Sequence, residues 1–359
     1  MTTSNIPNRV QILKEKITNS LGLPFRELLP EAAIQDALNT LEIKYRRRLF
    51  DPFITIWAFL SQILDPDKTC HNAVSRIISW LASENMELPS QDTGGYCQAR
   101  KRLPQKLFSL LFSRVANSLD ERVTAEHLWC HRHVKVIDCS SVSMPDTPSN
   151  QQAYPQPSSQ KPGCGFPIAK IGVLFSLVTG SAVGLVIDRL NVHDIKFARR
   201  LYEFLKPSDV LVGDRAFCSY ADFIFIKNRQ VDAVFRKNQS RDNSERRNDK
   251  RVGSNDKIVT WYKPKTCPSC LLKEEFAALP KTVVLREVQY YVVIPGYRTK
   301  HVKLITTLLD IEKYPLFELM KLYENRWQVE VNLKHLKTTL GMDILRSKTG
   351  SPVVSMLNF

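Results

Sequence analysis

Three carboxylates in this 359-residue chain stand where chemistry is usually done. Asp138 follows the run Val134-Lys135-Val136-Ile137, and Asp214 follows Val210-Leu211-Val212-Gly213. Both runs read as strands that end on a carboxylate, and strand exits are where α/β folds place functional groups. Glu330 lies inside a helical pattern that Pro315 opens and that runs to about Leu340. On one continuous helix, Tyr323, Arg326, Lys334 and Lys337 all fall within about 40° of Glu330. Leu322, Val329, Leu333, Leu336 and Leu340 lie largely elsewhere and are free to pack. A carboxylate flanked by cations on one stripe suits a site that holds metal ions on the acid and phosphates on its neighbours. The plainer readings stay open. Strand-end aspartates also cap turns, and Arg326–Glu330 and Glu330–Lys334 have the spacing of surface ion pairs.

Two strand ends and a helix that meet can present these three carboxylates, Asp138, Asp214 and Glu330, to two divalent ions. Magnesium is the expected metal, with Mn²⁺ able to substitute, because it takes oxygen ligands and bridges carboxylates to substrate phosphates. Two ions ~3.5–4 Å apart stabilise the attacking and leaving oxygens of an in-line phosphoryl displacement, so no protein nucleophile is needed.

The elements that must position these groups can be read along the chain. Residues 1–125 are expected to be helical, with apolar residues at three- and four-residue spacing over Leu28–Leu49, Pro52–Leu64, Cys70–Leu81 and Leu103–Leu119. Tyr96–Arg102 ends on Arg100, Lys101 and Arg102, and a helix pair with such an end could meet DNA as a helix-turn-helix does. From His133 the pattern changes to strand, proline-rich loop (Pro145–Gly163), hairpin, helix (Asp194–Leu205), strand, helix (Ser219–Arg229) and strand (Val231–Arg236). That order predicts a mixed α/β sheet with helices packed on it. Residues 236–300 read as a β-rich insertion ahead of the last helix, so residues 126–235 and 301–345 form one interrupted domain. Residues 346–359 form a tail.

The formal charge is +15, from 51 basic and 36 acidic residues. Residues 236–303 alone carry 16 basic and seven acidic side chains, including Arg246, Arg247, Lys250 and Arg251. Charge gathered in one segment points to a contact surface for a polyanion, most often nucleic acid. Apolar residues make up 43% of the chain, which argues against wholesale disorder. The longest uncharged run, between Lys170 and Asp188, is broken by three glycines and reads as strands rather than a membrane span. Met1–Ser20 has no apolar signal core, so a cytoplasmic protein without a membrane partner is expected. The eight cysteines are scattered and read as reduced thiols. Cys267 and Cys270 have zinc spacing but supply two of the four ligands a structural site needs.

Four collinear blocks resemble the DDE transposases of the bacterial insertion-sequence-four (IS-4-like) family. They are Asp138–Pro148 with Lys161–Pro167, then Val212–Phe217, then Trp261–Pro264 with Leu285–Val288, and finally Tyr323, Arg326, Glu330 and Lys337 at the family's spacing. The resemblance spans about residue 40 to 345. It implies a ribonuclease-H-like mixed sheet with helices, interrupted by the β-rich insertion and preceded by an all-helical N-terminal domain that binds DNA ends. It implies Asp138, Asp214 and Glu330 as the metal-binding triad, with Tyr323, Arg326 and Lys337 on the element-end phosphates. The implied reaction is nicking at the element's terminal inverted repeats, hairpin formation, hairpin opening and strand transfer into target DNA. The partners are double-stranded DNA and a second copy in a homodimer, on the bacterial nucleoid. Lys334, Arg215 beside Asp214, and the basic residues of the insertion are further candidate phosphate contacts. Relatives usually continue into further C-terminal helices, so a truncated copy that binds ends and inhibits a full-length partner is the alternative expectation.

Each phosphate neutralised by Lys or Arg releases counterions, so DNA affinity should fall at least about a hundredfold between roughly 0.05 and 0.2 M salt. Anisotropy titrations across that range check this, and a flat response would contradict a DNA grip by residues 236–303.

Overall fold

The computed structural model describes residues 29–46, 48–237, 249–292, 300–334 and 343–345. By contacts the chain forms two compact units, one of residues 1–115, 147–150 and 334–359, the other of residues 116–146 and 151–333.

Helices dominate the described part of the first unit: α1 (Glu31–Thr40), α2 (Pro52–Leu64), α3 (Cys70–Ser83), α4 (Gly94–Arg102) and α5 (Gln105–Glu121), whose later residues belong to the second unit. The starts follow local chemistry. Asp51 caps α2 by accepting the N–H of Ile54 (3.0 Å), with Pro52 in the first turn, and Thr69 caps α3 by accepting the N–H of Asn72 (3.1 Å). The core gathers Ile34, Leu38, Ile56, Trp57, Ile77 and Tyr96. The first helix is shorter than its apolar spacing suggests. Glu42 takes a left-handed φ of 54°, and the N–H of Ile43 reaches back to the carbonyl of Leu38 (2.9 Å), which closes the helix.

The second unit is built on one nine-stranded mixed sheet of order β3-β2-β1-β4-β5-β9-β8-β7-β6. Its strands are β1 (Val134–Ser143), β2 (Ile168–Ser176), β3 (Ala182–Arg189), β4 (Val210–Gly213), β5 (Asp232–Arg236), β6 (Lys250–Gly253), β7 (Asp256–Tyr262), β8 (Thr282–Val292) and β9 (Lys300–Thr306). Only β1–β4 and β4–β5 pair in parallel; the other pairs are antiparallel. Between the strands lie α6 (Pro148–Ala153), α7 (Asp194–Leu201), α8 (Tyr220–Asn228) and α9 (Lys273–Ala278), then α10 (Leu316–Glu324) and α11 (Trp327–Lys334). The core packs Ile137, Leu174, Phe197, Leu211, Phe223 and Phe235. Among the described residues no helix is long and apolar enough to cross a membrane.

Three expectations change. The Pro145–Gly163 loop contains the short helix α6. Asp138 does not end its strand: β1 continues to Ser143 because β2 pairs with it along its length. The described strands of residues 236–300 join the main sheet. β8 is 11 residues long, enough to pair with β7 and with β9, and β9 also pairs with β5, so the insertion extends the central sheet. The last helix is broken between Glu324 and Trp327, where the N–H of Arg326 turns to the carbonyl of Tyr323 (3.1 Å). The expected continuous helix is therefore interrupted between Tyr323 and Glu330, and residues 335–340 lie outside the described residues.

Arg286 of β8 ties these parts together. It is 0% exposed; its Nε donates to both carboxylate oxygens of Asp256 (2.9 and 3.1 Å), and its Nη1 donates to the carbonyl of Tyr314 (2.6 Å), just ahead of α10. Removing one partner of a buried pair leaves an uncompensated charge. Asp256→Ala should therefore cost about 3–5 kcal/mol in denaturant unfolding.

Candidate active site

The register of the parallel strands sets the site. Val136 of β1 is level with Val212 of β4, so the parallel pairing carries both strands in register to just short of Asp138 on β1 and of Asp214, the first residue after β4. Gly213 is level with Phe235 of β5, and Arg236 ends β5 one residue further on. A side chain at Gly213 would not fit: a Cβ there would lie 2.9 Å from Ile137 and Phe217 and 3.1 Å from Phe235. Beyond Gly213 the chain leaves the sheet, and the Asp214 carboxylate accepts the N–H of Ala216 (2.8 Å). The Asp138 carboxylate accepts the N–H of Cys139 (2.8 Å).

Glu330 comes from α11 and is held by Arg326, whose Nη2 donates to its Oε1 at 3.0 Å. Arg326 is only 8% exposed, and its guanidinium carbon lies 5.5 Å from the ring centre of Tyr323 and 5.6 Å from that of Trp327. Its Nε is buried without a hydrogen-bond partner. Burial opposes its charge, yet Tyr323, Glu330 and Asp138 together hold its pKa above the ordinary arginine value.

The three carboxylates sense one another. The pKa of Asp138 is pushed up to about 6, chiefly by burial; the Cys139 N–H and Arg326 oppose the rise, and Asp214 and Glu330 add to it. Burial also raises the Tyr323 phenol, with Arg326 and Arg236 opposing and Asp214 adding. Asp138, Asp214, Glu330, Arg326, Tyr323 and Arg236 thus share one electrostatic neighbourhood. Arg236 and the exposed Trp327 were not singled out from sequence. Arg236 ends an apolar strand just as Asp214 does, which is the signal that could have found it.

The other candidates are placed separately. Arg215 is exposed, as are Lys334 at the end of α11 and Lys250 and Arg251 on β6. Lys101 and Arg102 are exposed, but Arg100 is not presented at the surface with them. Its guanidinium lies 4.6 Å from the Phe59 ring centre and donates to Gln62 Oε1 (3.0 Å), so it belongs to the helical core. Lys337, Arg246 and Arg247 lie outside the described residues. All eight cysteines are free thiols; Cys267 Sγ faces the carbonyls of Pro268 and Leu271.

Residues 129–358 match the Transposase DDE domain family. The chain belongs to this family. It is a DDE transposase of the type found in the IS4 element. It is 21% identical over 352 residues to the transposase InsG for insertion sequence element IS4 of Escherichia coli strain K12, covering 97% of this chain and 74% of that one. It is also similar to the piggyBac transposase in a cryo-EM synaptic complex with hairpin DNA, at 10% identity, over 94% of this chain and 73% of that one, with a TM-score of 0.43.

Among the described residues, no three acidic, histidine or cysteine side chains are gathered tightly enough to hold a metal ion. The donor chemistry of the candidate carboxylates Asp138, Asp214 and Glu330 nevertheless fits one. Its groups are hard oxygen donors, their charges repel, and a divalent cation would relieve that repulsion.

Because the folded chain holds the Asp138 proton more tightly than the unfolded chain, metal-free stability falls as pH rises from about 4 to 6, and the penalty is complete above that window. Metal-free Asp138→Asn should therefore be more stable than wild type at pH 7.5, by at most about 3 kcal/mol. The difference should vanish near pH 4. Urea unfolding in EDTA at both pH values checks this.

Proposed function

We propose that this transposase cuts and joins DNA at insertion-sequence ends, with Asp138, Asp214 and Glu330 as its metal-binding triad. The observation that carries the reading is the single electrostatic neighbourhood of Asp138, Asp214 and Glu330 beside the paired strands β1 and β4, with Arg326 bonded to Glu330. The core of the sheet, β1 to β5, is read as ribonuclease-H-like, with the added strands β6–β8 on its far side.

A bound pair of Mg²⁺ or Mn²⁺ ions would supply charge for the scissile phosphate and for the oxygens entering and leaving it. Asp138 and Asp214 provide ligands from the rigid sheet. Glu330 provides its ligand from α11, and its bond to Arg326 sets where that carboxylate stands before DNA arrives. Water attacks the phosphorus at the element end, and the bond to the 3′-oxygen breaks. The freed 3′-hydroxyl then attacks the opposite strand, displacing the oxygen of the flanking DNA and closing a hairpin. A second water attacks the hairpin phosphorus and restores the 3′-hydroxyl, which then attacks a phosphorus of target DNA and displaces the target's own 3′-oxygen. Tyr323, Arg326 and Lys337 serve the phosphates near the cut, joined by Arg236. The helical unit binds the element's inverted repeats, the basic insertion grips flanking DNA, and two copies act together.

The test is a cleavage assay on terminal inverted-repeat duplexes with Mg²⁺. Asp138→Asn, Asp214→Asn and Glu330→Gln should each reduce cleavage to background while still binding the duplex. Arg326→Ala should lose roughly 10–100-fold in rate, as a residue that orients a ligand does. Undiminished cleavage in Asp138→Asn would overturn the triad, and binding without any cleavage by the wild-type chain would favour an inhibitory copy.

A further inference from the structure

The helical unit holds two thiols that the proposed DNA chemistry does not use. Cys70 is the first residue of α3, directly after the cap Thr69, and Cys97 lies in α4. Both are free thiols and partly exposed. Cys97 and Arg100 are three residues apart on α4 and so share one face of that helix. Both meet Cys70: Arg100 donates from Nη1 to the Cys70 sulfur at 3.7 Å, and the Cys97 thiol is hydrogen-bonded to the same residue.

A third donor is aimed at Cys70. Gln62 of α2 donates from Nε2 to its sulfur (3.7 Å) and to the carbonyl of Lys68 (2.8 Å). The orientation of that amide is fixed, because its Oε1 accepts the Tyr96 hydroxyl (2.8 Å) and Arg100 Nη1 (3.0 Å). The pair is therefore asymmetric. Cys70 has a cation, an amide and a thiol directed at it, at the start of a 14-residue helix, and such surroundings stabilise negative charge on sulfur. Cys97 keeps its proton: burial, then the bond to Cys70, push its thiol up, against Arg100 and Lys101. The thiolate is the form that attacks a peroxide, which makes Cys70 the attacking sulfur and Cys97 the resolving one.

We infer that Cys70 and Cys97 form an oxidation site, which takes a peroxide and closes reversibly to a disulfide between α3 and α4. The Cys70 thiolate attacks one peroxide oxygen, and the O–O bond breaks. The departing oxygen takes a proton from solvent and leaves as water or an alcohol, with Cys70 now a sulfenic acid. The Cys97 sulfur then attacks the Cys70 sulfur and the S–O bond breaks. The hydroxide leaves as water with the Cys97 proton. The two thiols lose two electrons, and the peroxide gains them. A dithiol reductant reverses the bond by exchange. The disulfide closes residues 71–96 into a loop and leaves Arg100 facing sulfur that can no longer carry charge. Its chemistry does not depend on the transposase reading.

The test treats the full, reduced chain with hydrogen peroxide, alkylates it and digests it with trypsin without reductant. Mass spectrometry should find the peptide of residues 69–76 joined to that of residues 77–100, lighter than their sum by two hydrogens and separated again by dithiothreitol. In Cys97→Ser, dimedone should trap a sulfenic acid on Cys70. In Cys70→Ser, Cys97 should react several-fold more slowly. In urea the preference for this pair should vanish, because only the fold brings the two sulfurs together. Cys70 and Cys97 that stay fully alkylated at peroxide doses that oxidise other cysteines would overturn the site. So would a link formed preferentially between Cys267 and Cys270, or a preference for Cys70–Cys97 that persists in urea. A sulfenic acid trapped on Cys97 rather than Cys70 would overturn the order of attack.

Discussion

Everything at the candidate site hangs on the short strand β4, held in parallel between β1 and β5. All four of its residues are buried. Gly213 is the tightest point, because its neighbours on both flanking strands leave no room for a Cβ. The parallel-paired stretch of β4 is apolar throughout. Asp138, Asp214 and Arg236 follow the parallel-paired stretches of β1, β4 and β5. The close packing at Gly213 and the register of its neighbours together hold β4 tightly between β1 and β5 just before Asp214.

Glu330 is positioned differently. It arrives on a helix outside the sheet, after a break that draws Arg326 inward between two aromatic rings. Arg326 offsets part of the repulsion among the three acids and steers Glu330. The lead into α10 is in turn anchored by Arg286, which reaches from an inserted strand to the carbonyl of Tyr314. The insertion is thus a structural support for the lead into α10 as well as a source of charge.

That charge is distributed less simply than a count suggests. Within residues 236–303, Lys237 pairs with Glu287, Lys257 with Asp249 and Glu287, and Arg286 with Asp256. These ion pairs are largely buried and are part of the sheet's own cohesion. The exposed surplus is carried by residues such as Lys250 and Arg251. In the helical unit the same distinction separates Arg100, stacked on Phe59, from Lys101 and Arg102 at the surface.

Local signals were enough for much of this. Apolar runs marked β2 to β5, Ser219 marked the start of α8, and Asp51-Pro52 marked the start of α2, because caps and side-chain periodicity act within a few residues. The types and spacing of Asp138, Asp214, Arg326 and Glu330 were likewise fixed by the chain alone, as was the basic balance. Tertiary structure decided what depends on distant partners. It extended β1 past Asp138 by pairing it with β2, merged the insertion into the main sheet through β8 and β9, and broke the last helix at Arg326. It also laid Arg100 against Phe59 and raised the pKa of Asp138. The physical reason is the same in each case: strand register, desolvation and the field of neighbouring charges arise between segments far apart in sequence, and no local pattern carries them.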